Sequence, residues 1–119
     1  MKIEISQIND FKIAEIISEE VLINEVQDAL DIMGECSFQG SAKIIVYKKN
    51  IAEDFFDLKT GIAGEILQKF STYRVQLAVV GDFSNYTSKS LSDFIFESNK
   101  YGRINFVNSE EEAKKRLTK

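Results

Sequence analysis

The chain predicts a single α/β domain over residues 1–119, with elements in the order β-β-α-β-α-β-α-β-α. They would form a mixed, mostly parallel sheet with helices chiefly on one face. Three observations predict this. The continuous apolar runs Ile44-Ile45-Val46 and Val75-Gln76-Leu77-Ala78-Val79-Val80 have the pattern of strands buried on both faces. The segments between such runs are of crossover length and carry apolar residues at helical spacing. A chain of 119 residues suits one domain, and no proline interrupts any element.

Lys2–Ile8 alternates, with Ile3 and Ile5 on one face, and reads as a strand. Asn9-Asp10 is a turn pair, and Phe11–Ile17 is the returning strand of a hairpin. Ser18 suits a helix N-cap, with Glu19 and Glu20 in the first turn. Leu22, Val26, Ala29, Leu30 and Met33 then fall at helical spacing, and Gly34 suits the C-cap. Glu35–Ser41 reads as a loop carrying Cys36 and Phe38, followed by a strand over Ala42–Tyr47. Lys48–Leu58 is irregular and contains Phe55-Phe56. One of these two rings is exposed as a contact surface unless the loop itself buries both.

Thr60–Tyr73 reads as a helix with Ile62, Ile66, Phe70 and Tyr73 on its inner face. Val75–Val80 is a strand, stopped by Gly81-Asp82. After the loop Phe83–Thr87, Ser88 caps a helix whose inner face is Leu91, Phe94 and Ile95 and which ends near Gly102. Ile104–Val107 is a last short strand. Ser109 and Glu112 form a capping box for a final helix. On it Glu110 with Lys114, Glu111 with Lys115 and Glu112 with Arg116 are i,i+4 pairs, and Ala113 and Leu117 make a narrow apolar stripe.

Absences constrain the chemistry most. There is no histidine, which removes imidazole acid–base catalysis, Ser-His-Asp hydrolysis and His-ligated metals. The lone cysteine, Cys36, makes neither an internal disulfide nor a Cys-cluster zinc site, and its acidic neighbour Glu35 does not favour a thiolate. No catalytic residue, cofactor or metal is therefore expected. A net charge of -4 argues against a nucleic-acid partner. No apolar run approaches the ~20 residues of a membrane-spanning helix, and Met1–Ser6 lacks the apolar core of a signal peptide. These features, with the single cysteine, lead to the expectation of a cytoplasmic protein.

The stretch Asp57-Leu58-Lys59-Thr60-Gly61-Ile62-Ala63-Gly64 stands out. It places the Thr60 hydroxyl near a helix N-terminus, where unpaired N–H groups and the dipole favour a phosphate. Lys59 would add a counter-charge, and Gly61 and Gly64 permit close approach. Thr60 thus suits a phosphoacceptor, while Thr60 or Asp57 also suits a plain N-cap. Asp82 and Ser84 follow a strand at its carboxyl end, where open α/β sheets bind ligands, and Tyr86 sits at the tip of a hydroxyl-rich loop. Asp54, Asp57 and Asp82 do not have the placement of paired acids after a first strand, so a cation site is not expected.

The element order and the residues around Thr60 resemble the STAS fold, the anti-sigma-factor-antagonist type of bacterial regulator. That family carries Asp-Ser-Ser-Gly-Leu-Gly, its second serine phosphorylated, where this chain has Asp57-Leu58-Lys59-Thr60-Gly61-Ile62. Asp57 is shifted by one place and Lys59 replaces the first serine. A closer resemblance is carried by Phe55-Phe56-Asp57-Leu58-Lys59-Thr60-Gly61-Ile62-Ala63-Gly64 and its continuation to Phe70. Leu77–Ser84 and Thr87–Ile95 carry it too. All are similar to a small bacterial family, domain of unknown function 4180, which implies the fold and a bacterial cytoplasmic origin.

The expectation for function is a non-enzymatic regulatory or protein-interaction module. Its partner surface would comprise Asp57, Lys59, Gly61, Gly64, Asp82, Ser84 and Tyr86, with Thr60 as the phosphoacceptor. The alternative is a sensor that binds a small ligand at the carboxyl ends of the strands. A protein partner is expected, and self-association is left open.

Overall fold

The computed structural model describes residues 1–119. Five strands form one mixed sheet in chain order: β1 (Lys2–Ile8), β2 (Phe11–Ile17), β3 (Lys43–Tyr47), β4 (Gln76–Val80) and β5 (Ile104–Val107). β1 and β2 pair antiparallel, in a register fixed by Ile8 opposite Phe11 across the two-residue turn. Asn9 takes φ 56° there, a conformation asparagine tolerates. The pairs β2–β3, β3–β4 and β4–β5 are parallel.

Helices α1 (Val26–Phe38), α2 (Ile62–Thr72) and α3 (Lys89–Tyr101) join successive parallel strands. Crossovers of one hand between strands laid side by side put all three on the same face. Their buried residues, including Met33, Ile66, Phe70 and Leu91, share one core with Ile44, Val46, Leu77, Val79 and Ile104. The alternate strand residues point the other way. There Ile13, Ile45, Ala78, Val80 and Val107 pack on Ala113 and Leu117 of α4 (Glu110–Leu117). The two-residue stripe of α4 is narrow, yet both residues are fully buried and cover the centre of that face.

Three expectations are corrected, and the alternative left open for Phe55 and Phe56 is resolved. Ser18 does not open a helix; its Oγ accepts the Glu20 N–H, and Ser18–Glu25 is an irregular strap beside Lys48–Ala52, with Ile23 bridged to Ile51. Asn50 holds this strap. Its side-chain amide donates to the Ser18 and Glu20 carbonyls at 2.9 Å each, and its backbone carbonyl accepts from Leu22 and Ile23. α1 starts only after Glu25, which forms a capping box with Asp28. Its apolar residues from Val26 onward supply the helical spacing, so the periodicity was real but the cap lay seven residues downstream.

Gly34 does not end α1. It lies mid-helix on the exposed side, and the helix runs on through Cys36 and Phe38. Cys36 is fully buried, and burial pushes its thiol up to about 11. Phe55 and Phe56 are both buried, because Glu53–Phe56 is a single 3-10 turn rather than an extended segment. Finally, Glu112 does not pair with Arg116, which instead donates to the Asn99 carbonyl at 2.7 Å. The other two pairs form, Glu110 with Lys114 at 2.8 Å and Glu111 with Lys115 at 3.8 Å. No helix is long and apolar enough to cross a membrane.

Candidate functional site

The predicted site residues lie in two loops at the carboxyl ends of β3 and β4. The first loop leaves β3 through three short 3-10 turns, Lys48–Asn50, Glu53–Phe56 and Leu58–Thr60, before α2 begins. Thr60 closes the last of these turns. Its hydroxyl proton is shared between the carbonyls of Asp54 at 2.7 Å and Asp57 at 2.9 Å, and its oxygen accepts the Ile62 N–H at 3.3 Å. The expectation that Thr60 or Asp57 caps α2 is corrected: neither does. Asp57 caps the turn, with Oδ1 accepting the Lys59 N–H at 3.2 Å. The N-cap of α2 is Gly61, at φ 78° and ψ -5°. A residue with a Cβ is strained in that conformation, so the turn selects glycine.

Lys59 is exposed and forms no ion pair. Gly64 faces solvent in the first turn of α2, with open space where a Cβ would stand. The bare helix surface there admits close approach by another molecule, and nothing within the domain requires glycine at that position.

The second loop follows β4. Asp82 Oδ1 accepts both the Ser84 N–H at 2.9 Å and the Ser84 hydroxyl at 2.6 Å. Those bonds, more than nearby Lys48, hold the Asp82 carboxyl below its usual range. Tyr86 is half-buried rather than displayed at a tip. Its ring stacks on Phe56 at 5.2 Å and 21°, and Lys48 Nζ lies 4.8 Å from its centroid. The hydroxyl reaches Glu53 at 3.2 Å. Burial, then the Glu53 charge and hydrogen bond, push the phenol up to about 12.

The two loops therefore meet indirectly. The Glu53–Phe56 turn holds Thr60 through the Asp54 carbonyl and holds Tyr86 through Phe56 and Glu53. No hydrogen bond or ion pair joins Thr60 to Asp82, Ser84 or Tyr86. Asp57 and Asp82 are each folded back on their own turns, and no three acidic or cysteine side chains converge where a cation would sit.

Contributors in three places lie outside the predicted site residues. Lys48 and Glu53 bracket Tyr86 from a segment read only as irregular. Gly81 was read as a turn residue, yet its role is space: a Cβ there would lie 2.6 Å from Lys48 Cβ. The signal was a glycine directly after a buried strand, which marks a close approach by a neighbour as readily as a turn. Phe83 is the third such place. It lies 6.0 Å from Phe56 and 5.3 Å edge-to-face from Phe106, and so links the surface stack to the core.

The family model described as Domain of unknown function (DUF4180) matches residues 8–117, and the chain belongs to that family. No curated protein matches it.

Proposed function

We propose that this member of the DUF4180 family is a non-enzymatic regulatory or protein-interaction module. Its partner surface is formed by Asp57, Lys59, Thr60, Gly61, Gly64, Asp82, Ser84 and Tyr86. The observation that carries this reading is that the surface is filled. None of the molecule's 5 depressions is lined by any of these residues. Small-ligand sites are concave and enclose their ligand. A surface of self-braced turns, with the Tyr86 stack between them, suits a flat protein contact better than the ligand-sensor alternative. The likeness to the anti-sigma-factor-antagonist type of regulator supports the same reading, as does the absence of histidine for enzyme chemistry. We infer a bacterial cytoplasmic location, which fits a single buried cysteine without a disulfide partner.

Phosphorylation of Thr60 is the proposed switch, and the hydrogen bonds say how it would act. The hydroxyl is a donor to two carbonyls. A phosphoryl group removes that donor and brings about -1.5 to -2 of charge against carbonyl oxygens. The Leu58–Thr60 turn must then open, so the switch changes loop shape as well as charge.

The test is a pull-down from the native cytoplasm with wild type, Thr60→Ala and Thr60→Glu, each first shown to be folded by circular dichroism. A partner kept by Thr60→Ala and lost with Thr60→Glu, or the reverse, is the expected outcome. If all three variants capture the same partners, or none, Thr60 is only a turn staple and the switch is rejected.

A further inference from the structure

Away from that surface, at the amino-terminal ends of the strands, α2 and α3 leave a groove of about 420 Å³ between them. Its size falls within the range of small-molecule sites. Leu67 of α2 and Phe94 and Tyr101 of α3 supply an apolar lining. Tyr101 is 83% exposed, so much of it is available to an incoming molecule.

Polar groups at this groove lack partners. Ser98 lines it and is 3% exposed, and its hydroxyl is the only buried side-chain polar atom in the protein without a hydrogen-bond partner. Leaving such a group unpaired costs about 1–3 kcal/mol, and native structures rarely carry one without cause. Arg103, at the start of β5, also lines the groove. Its Nη1 donates to the Val75 carbonyl at 3.3 Å, and it forms no ion pair.

The surroundings of Arg103 add positive charge. Lys43 is half-buried nearby, with Nζ donating to Gln76 and lying 4.5 Å from the Phe11 ring centroid. Burial and then the Arg103 charge hold Lys43 below its ordinary pKa. Two neighbouring cations without a carboxylate partner, in a chain of net charge -4, leave a local positive field. Glu97 on the α3 side of the groove is unpaired too, and it repels an anion from its own position. An anionic group is therefore directed to Arg103. The larger depression along α1, about 690 Å³, is lined by Asp31 and Glu35 and by no cation.

We propose that the groove between α2 and α3 binds a small organic carboxylate, its apolar body on Leu67, Phe94 and Tyr101 and its carboxylate on Arg103. This is independent of the partner surface, which lies at the other end of the strands. Bidentate pairing with a guanidinium gives the carboxylate both energy and orientation.

The test is a titration of isotope-labelled wild-type protein with phenylacetate as the probe, followed by amide NMR shifts, beside the uncharged phenylacetamide. Saturable shifts at Leu67, Ser98 and Arg103 are expected with the acid, and about tenfold weaker binding of the amide, which corresponds to ~1.4 kcal/mol. Arg103→Gln should erase the preference for the acid. Ser71→Trp, at an exposed position on the α2 side, should block both probes. The acid–amide comparison needs no variant, so a misfolded Arg103→Gln does not remove the test. Absence of saturable shifts in wild type, equal binding of acid and amide, or undiminished binding by a folded Ser71→Trp would each overturn the proposal.

Discussion

At the carboxyl ends of the strands the polar side chains that define the loops, Lys59 excepted, are held by hydrogen bonds within the loops. Thr60 staples a turn, Asp82 holds Ser84, and Tyr86 is stacked, hydrogen-bonded and covered by a lysine. At the amino-terminal ends, Ser98 has no partner, and Arg103 and Glu97 have no ion pair. The difference teaches what each end can recognise. A surface whose groups are already satisfied offers shape and charge to a broad partner, and little energy to a small molecule. A groove with unpaired groups returns energy to any small molecule that pairs them.

The largest way to break this contrast is Phe56→Ala. The ring is 5% exposed and supports both Phe55 and Tyr86. Its removal should cost about 3–5 kcal/mol in urea unfolding. It should also release Tyr86 while leaving the groove's NMR signals in place. Loss of the groove signals in a folded variant would mean the two ends are not separate.

A smaller effect comes from two glycines of one loop. Gly61→Ala forces a Cβ into φ 78° and should cost about 1–2 kcal/mol. Gly64→Ala meets open space on a helix and should gain about 0.5 kcal/mol. If Gly64→Ala nonetheless weakens partner capture, the bare helix surface is part of the contact.

The smallest effect is the titration of Tyr86. Its folded-state pKa is raised, so its contribution to stability is complete below pH 10 and is lost as pH rises toward about 12. Phenolate absorbance should show a transition near pH 12 that is missing in Tyr86→Phe. In Glu53→Gln it should move down only part of the way, because burial is the larger cause.

Much of the fold was legible because it rests on local signals. The alternation of β1, the apolar runs of β3 and β4, the Ser88 and Ser109 caps and the left-handed Gly102 are all read within a few residues. The strap before α1 was not legible. It is held by Asn50, more than twenty residues away in the chain, and a capping serine at Ser18 looks the same whether or not a helix follows. The site was half legible. The Asp57–Gly64 and Asp82–Tyr86 segments of the candidate site stood out because they are glycine- and hydroxyl-rich. The Lys48–Tyr86–Glu53 arrangement was not, since it joins residues 33 positions apart that carry no motif. The groove was invisible for a similar reason: Ser98 reads as an ordinary helix serine until its missing partner is seen in three dimensions.

The strands lie in the sheet in the order they occur in the chain. As the polypeptide leaves the ribosome, each new strand finds its neighbour already made, and no earlier pairing must be undone to admit it. Only α4 has to reach back, across β5, β4 and β3. Until its 8 residues emerge, the side of the sheet carrying Ile45, Ala78, Val80 and Val107 has no cover. The segment made after all five strands, α4, is thus the one that shields this face of the nascent domain from its neighbours. A chain truncated before Glu110 would keep its sheet order and lose its protection against aggregation.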